Sequence, residues 1–348
     1  MKQILLLVFY SPLLLLAQEV TEETILHDGL ERSYVLYVPD TYSNEDSTPL
    51  VLNLHGYSSN AGQQMIYSNF YAIADTEGFL LVHPQGTFDD NGFAYWNSGM
   101  LGVGAVDDVG FLSNLIDTLA FQYNINLEQV YSTGMSNGGF MSYRLACELS
   151  DKIAAIASVT GSMNESQYTS CAPEQSVPVM QIHGTSDLVV LYEGSSAMEI
   201  LPIEEVVSYW VNWNQCDPDP TITSLPDVNM LDLCQAEHYL YENGINGSLV
   251  EFYKIINGGH TWPGAAIPLT GNNTNQDFSA SEKIWTFFQQ YDINGLTENN
   301  SSLLEKKLHT NRLIGSIDLL GRNIVGNTSD WYLNIYDDGS VSKHIIIK

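Results

Sequence analysis

Basic residues are scarce in this chain: 12 Lys and Arg stand against 41 Asp and Glu in 348 residues, for a formal net charge of −29. A surface this acidic repels phosphate backbones and anionic lipid, which excludes nucleic acid as a partner. Past the N-terminal stretch no apolar run reaches spanning length, so no membrane-spanning segment is expected in the mature protein. Metal-ligand spacings are missing as well. No His-Glu-x-x-His, EF-hand loop or Cys-x-x-Cys occurs, and neither a metal nor a cofactor is expected. Aromatic residues, by contrast, make up 11% and hydrophobic residues 44%, which supplies one large core and argues against disorder.

The N-terminus reads as an export signal over residues 1–17. Lys2 gives a positive start, Ile4 to Leu16 is apolar apart from Ser11-Pro12, and Ala17 is a small residue before Gln18. Export predicts a secreted or cell-surface protein and permits disulfides. Of the four cysteines, the pairs Cys147–Cys171 and Cys216–Cys234 each close a short loop and are the expected bridges; buried free thiols are the alternative.

The body alternates strand-like and helix-like segments, the pattern of a mostly parallel sheet flanked by helices. Strands are expected at Tyr34–Val38, Leu50–Leu54, Phe79–His83, Gln129–Thr133, Ile153–Val159, Val177–Ile182 and Val250–Ile255. Helices are expected from the capping pair Asp107-Asp108, over Gly138–Leu149 and over Ile203–Trp213. Residues 18–293 form the α/β domain, and 294–304, rich in Asn and Ser, suit a linker. Charge shifts sharply beyond it. Residues 18–290 hold five bases (Arg32, Arg144, Lys152, Lys254, Lys283). Residues 305–348 hold six (Lys306, Lys307, Arg312, Arg322, Lys343, Lys348). That tail reads as a small β module with strands Arg312–Leu320, Trp331–Tyr336 and Val341–Ile347, the last two joined by a turn at Asp337-Asp338-Gly339-Ser340.

The chemistry centres on Gly134-Met135-Ser136-Asn137-Gly138. A Gly-x-Ser-x-Gly pentapeptide alone is weak evidence, but here a strand runs into it and a helix leaves it, as a nucleophile elbow requires. Glycines clear space for a serine on so tight a turn, and the helix starting at Asn137 aims free amides at a developing oxyanion. A serine hydroxyl needs a base. On this architecture the order is Ser, acid, His, which sets aside His27, His55 and His83. His183 follows an apolar strand and reads as structural, His238 as solvent-facing, and His309 and His344 belong to the linker and tail. His260 remains, in a Gly-rich loop after the strand Val250–Ile255. Asp187, after the strand ending at Ile182 and the Gly184 turn, is the acid that would orient it, with Glu193 the runner-up. Asp217 and Asp219 look like turn residues. The backbone N–H groups of Tyr57 and Asn137 are the expected oxyanion donors. Trp96 and Trp262 lie near the site in sequence and are candidates to stack on a sugar or phenolic ring, with packing as the alternative.

These residues sit within a longer series: Leu54-His55-Gly56, His83-Pro84-Gln85-Gly86, Trp96-Asn97, Asp107-Asp108-Val109-Gly110-Phe111, Gly134 to Gly139, His183 to Asp187, and Gly259-His260-Thr261-Trp262-Pro263. Over residues 22 to 290 the series resembles the extracellular feruloyl esterase and polyhydroxybutyrate depolymerase group (LpqC-like, close to carbohydrate esterase family 1). The resemblance implies an α/β-hydrolase fold and a serine carboxylesterase acting on feruloyl or acetyl esters of plant polysaccharide, or on aliphatic polyesters. A non-catalytic carbohydrate-binding protein on the same scaffold is the reading of a different class. The tail, Ile317 to Arg322, Tyr336 to Val341 and Ile345 to Lys348, resembles the sorting domain of type IX secretion, which implies that secretion machinery as a partner.

Overall fold

A computed structural model describes residues 19–99, 106–267 and 273–297, together with strands at 313–317, 331–336 and 341–345. The leader expected over 1–17 and the turn at 337–340 lie outside the described residues. The chain divides into two compact units, Met1–Gly295 and Leu296–Lys348.

The first unit is built on the strands β1 (Glu19–His27), β2 (Leu30–Val38), β3 (Thr48–Leu54), β4 (Leu80–Pro84), the short ribbon β5 (Thr87–Phe88) and β6 (Ala94–Tyr95), β7 (Ile125–Met135), β8 (Ala155–Val159), β9 (Val179–Gly184), β10 (Thr221–Ser224), β11 (Gln235–Tyr241) and β12 (Val250–Ile256). Short strands β13 (Tyr291–Asp292) and β14 (Gly295–Leu296) follow. Its helices are α1 (Ala61–Ser68), α2 (Tyr71–Glu77), α3 (Asp108–Gln122), α4 (Asn137–Glu148), α5 (Glu165–Ser170), α6 (Ile203–Trp213) and α7 (Ala280–Phe288). Ten strands join in the order β1-β2-β4-β3-β7-β8-β9-β12-β11-β10. The middle of the sheet, from β4 to β12, is parallel, and an antiparallel pair extends each edge.

The parallel strands are covered on both faces, so they read as unbroken apolar runs. Leu50, Val51, Leu52, Leu54, Leu80, Leu81 and Val82 are wholly buried. α3 buries Phe111, Leu112, Leu115, Ile116 and Leu119 from one face, and Asp107 caps it by accepting from Gly110 N at 2.9 Å. α7 packs with aromatic stacks, Trp285 on Phe79 (4.1 Å) and Phe288 on Tyr131 (4.8 Å).

Several elements depart from expectation. β1 and β2 form a hairpin closed by Asp28 and Gly29, both at positive φ (47° and 78°), the tight turn that matches strand twist. β1 lies at the sheet edge with Val20 and Leu26 exposed, so it lacks the apolar run that marks a buried strand. β11 is likewise an added antiparallel strand. Its His238 does not face solvent freely: Nε2 meets Glu251 Oε2 at 2.9 Å and the ring stacks on Tyr253 at 4.4 Å.

Cys147 is bonded to Cys171, with Cα atoms 4.9 Å apart. Cys216 and Cys234 are not bonded and are buried, which corrects the second expected bridge. Cys216 faces Ser248 O, just before β12 begins, whereas Cys234 precedes Gln235, whose partner Ile256 ends β12. A seven-residue strand of roughly 20 Å therefore separates them, far beyond the reach of a disulfide.

The second unit holds a three-stranded antiparallel sheet in the order β15 (Leu313–Ile317), β16 (Trp331–Tyr336), β17 (Val341–Ile345).

Candidate active site

Four of the parallel strands deliver the chemistry at their C-terminal ends, where open α/β sheets hold their ligands. β7 ends at Met135, Ser136 forms the bend and α4 starts at Asn137. Ser136 has φ 54° and ψ −120°, a strained conformation for a residue with a side chain. The bend is held because Ser136 N donates to Val159 O at 2.8 Å and Phe140 N donates to Ser136 O at 3.0 Å. The turn also needs its glycines: a Cβ on Gly138 would lie 2.2 Å from Leu54 O, and one on Gly134 would lie 2.6 Å from the Gly138 carbonyl carbon.

The loop after β9 carries Asp187, 3% exposed. One carboxylate oxygen, Oδ1, accepts from Val189 N at 2.8 Å and Val190 N at 2.9 Å. The other, Oδ2, meets His260 Nδ1 at 2.7 Å. Two backbone donors fix the carboxylate so that its other oxygen meets the imidazole of His260, with His183 Nε2 3.4 Å from the same oxygen. His260 sits in the loop after β12 and is 8% exposed. The structure thus places Ser136, Asp187 and His260 after the C-terminal ends of β7, β9 and β12 and joins the last two directly. Glu193 is exposed.

His183 braces the acid loop. Its Nε2 lies 2.9 Å from Val190 O and its Nδ1 3.1 Å from Gln181 Nε2, so Nε2 carries the proton and Nδ1 accepts. Burial lowers its pKa to about 4, which keeps the ring neutral beside Asp187.

The loop after β3 approaches the serine from the other side, since a Cβ on Gly56 would stand 3.4 Å from Ser136 Cβ. Among the described residues neither Tyr57 N nor Asn137 N has a backbone or side-chain acceptor within the protein. His55 fixes this loop. Gly86 N donates to its Nε2 at 3.0 Å, so Nδ1 carries the proton and donates to Gly56 O at 2.8 Å. Burial lowers the His55 pKa to about 4, and the ring stays neutral.

Both tryptophans offered as stacking surfaces are unavailable to a ligand: Trp96 is 0% and Trp262 1% exposed. Trp262 packs edge-on to Phe70 and donates Nε1–H to Ser281 Oγ at 3.0 Å. Trp96 donates Nε1–H to His55 O at 3.0 Å. Its position next to the polar backbone of the elbow selects packing over binding, because each indole N–H is already matched with a buried acceptor.

Trp96 has a further partner. Asn137 Oδ1 accepts from Trp96 N at 2.6 Å, while Asn137 Nδ2 donates to Trp96 O and Ser98 Oγ, each at 3.1 Å. The residue after the serine is therefore clamped through its amide side chain. Asn97 is held in turn: its N donates to Asp108 Oδ2 at 2.7 Å, and Arg144 donates to its carbonyl oxygen. Asp108, 0% exposed, pairs through Oδ1 with Arg32 Nη2 at 2.6 Å, and the Arg32 guanidinium lies 3.9 Å over Phe111. Sequence reasoning missed this chain from Arg32 to Asn137. The signal available was polar side chains, Arg32 and Asp108, inside otherwise apolar strand and helix patterns.

Comparison with known proteins places this geometry in context. Residues 32–208 match the family described as esterase PHB depolymerase. A bifunctional acetylxylan esterase/xylanase of Neocallimastix patriciarum is 30% identical over 165 residues, covering 47% of this chain and 23% of that protein. Feruloyl esterase B of Piromyces equi is 28% identical over 238 residues, covering 66% of this chain and 42% of that protein. This chain thus spans less than half the length of either relative. An acetyl xylan esterase structure from Aspergillus awamori superposes on 78% of this chain and 98% of its own with a TM-score of 0.54 at 14% identity, which shows the shared α/β-hydrolase fold.

Proposed function

The chain belongs to the esterase PHB depolymerase family, and from that premise we propose that it is a secreted serine carboxylic ester hydrolase acting on plant cell-wall esters such as feruloyl or acetyl xylan. The observation that carries the reading is a serine on a strained strand–helix bend combined with a buried His260–Asp187 pair at 2.7 Å, each on its own strand end.

In this mechanism His260 Nε2 takes the proton of Ser136 Oγ as that oxygen attacks the ester carbonyl. Asp187 holds Nδ1–H, fixing the tautomer and stabilising the imidazolium. The N–H groups of Tyr57 and Asn137 donate to the tetrahedral oxyanion. Collapse expels the alcohol, which takes its proton from His260 and leaves an acyl-Ser136. Water, deprotonated by His260, then repeats the sequence and releases the acid. No metal or cofactor enters the scheme.

Residues 1–17 act as the export leader, 294–304 as a linker and 305–348 as a module read by type IX secretion machinery. A polyester depolymerase uses the same groups, and the family's own description keeps that substrate as the second reading.

The test is a hydrolysis panel with 4-nitrophenyl acetate, methyl ferulate, acetylated xylan and a hydroxybutyrate oligomer, run on the protein and on Ser136→Ala. Loss of several orders of magnitude in the variant is expected, since little catalysis survives removal of a nucleophile. An active Ser136→Ala protein, or a wild type inert on every ester, sinks the proposal in favour of a binding protein.

A further inference from the structure

We propose that Tyr57 and Phe93 form an open aromatic ridge that binds a sugar unit of the ester-bearing polysaccharide, an inference that rests on the esterase reading above. The two rings are 49% and 48% exposed and lie against each other, with centroids 5.7 Å apart and planes at 51°. Large rings left half in water on a tethered loop lack the packing explanation that accounts for Trp96 and Trp262.

The ridge is built before any ligand arrives. Tyr57 Oη donates to Asp89 Oδ2 at 2.7 Å. Asp89 Oδ1 accepts from both Asn91 N and Phe93 N at 2.9 Å, closing the turn between β5 and β6. Ser58 N donates to Ala94 O at 2.8 Å and moors that ribbon to the loop carrying Tyr57. Rings held this way lose little conformational entropy on binding. They also stand beside the chemistry, because Tyr57 directly follows Gly56, the residue packed against Ser136.

The occupant follows from exposure and from the rim. A small aromatic acid bound for its own sake is enclosed over roughly 70–90% of its surface. An open ridge instead suits one unit of a chain that continues into solvent, presenting the C–H face of a sugar to the rings. Asp89 touches the ridge directly, and Asp90 and Asn91, which follow it in the same turn, are exposed. A carboxylate only accepts hydrogen bonds, so it needs donors from its ligand. Sugar hydroxyls supply them. An aliphatic polyester offers only acceptor oxygens, which the carboxylates repel.

The experiment compares Phe93→Ala, Phe93→Tyr and Phe88→Ala in the full chain. Phe88 is 66% exposed on the same ribbon but pairs across from Ala94, outside the Tyr57 contact, and serves as the control. Kinetics are measured on acetylated and feruloylated xylo-oligosaccharides, methyl ferulate and 4-nitrophenyl acetate. Phe93→Ala should raise KM for the oligosaccharide esters about five- to tenfold. It should leave 4-nitrophenyl acetate and methyl ferulate unchanged, with Phe93→Tyr restoring KM and Phe88→Ala neutral. An equal loss on methyl ferulate would assign the ridge to the acyl ring, and no change on any substrate would remove its role; either overturns the proposal. A binding arm separates it from the esterase reading: Ser136→Ala protein should be retained on insoluble xylan and released when Phe93→Ala is added. Should the wild type hydrolyse nothing, that arm still decides the ridge. Retention on polyhydroxybutyrate granules in place of xylan overturns the choice of sugar.

Discussion

Replacing Asp108 by Ala strikes the buried chain that holds the elbow. Asp108 and Arg32 are 0% and 3% exposed, and their contact is 2.6 Å. Removing one partner of a buried pair typically costs about 3–5 kcal/mol, because the other charge stays desolvated. The Asn97 amide also loses its acceptor, at about 1–3 kcal/mol. Arg32 keeps Gln85 O at 3.3 Å and the Phe111 face at 3.9 Å, which softens the loss. The expected total is therefore about 4–5 kcal/mol, a large part of the roughly 5–15 kcal/mol that stabilises a folded domain. Urea denaturation followed by tryptophan fluorescence measures it, with Arg32→Met/Asp108→Leu as the comparison. The double variant removes both charges and should recover at least half the loss. Ester hydrolysis by folded Asp108→Ala should fall as well, since Asn97 and Trp96 anchor Asn137. A loss below about 1 kcal/mol, or a double variant no better than the single, would refute the reasoning.

Acid should destabilise the protein in a defined window. His55, His83 and His183 are held by burial near about 4, 3 and 4, against an ordinary 6.5. Depressed values mean the unfolded chain binds these protons first, so the stability is full above about 6.5 and is lost as pH falls toward 4. Three protons taken up on unfolding give a slope approaching about 4 kcal/mol per pH unit near pH 5; urea midpoints at pH 7, 6 and 5 yield it, and uptake of fewer than one proton would contradict the assignment. Reducing Cys147–Cys171, 24 residues apart, should cost about 3.5 kcal/mol by loop closure. Thiol titration of the unreduced, denatured protein should find two free groups, from Cys216 and Cys234, and a count of none would restore the second bridge.

The parts of the fold legible in sequence were those with a strong local cause. Ile203–Trp213 was expected at the bounds it has, because its apolar residues recur at helical spacing. The parallel strands announced themselves by burial on both faces. The outer antiparallel strands β1, β10 and β11 did not, since β10 is exposed throughout and β1 and β11 stay largely unburied. Within the site, Ser136, Asp187 and His260 could be picked out because each follows its own strand in a required order. The Asn137–Trp96 clamp and the Arg32–Asp108 pair depend on contacts between residues 41 and 76 positions apart, which no local pattern encodes. Trp96 and Trp262 show the converse error. Proximity in sequence to a reactive residue says nothing about which way a ring turns, and both rings turn inward.

The bend at Ser136 also limits where mutation can lead. At φ 54° and ψ −120° a β-branched side chain is strained, so threonine, one methyl group away, is disfavoured in the nucleophile's place. Gly134 and Gly138 cannot gain even a methyl without meeting backbone atoms. Cysteine and aspartate, unbranched at Cβ, keep a nucleophilic atom in this conformation. A lineage carrying this turn can abandon its chemistry in a single step, but it can exchange that chemistry only for a thiol or a carboxylate nucleophile.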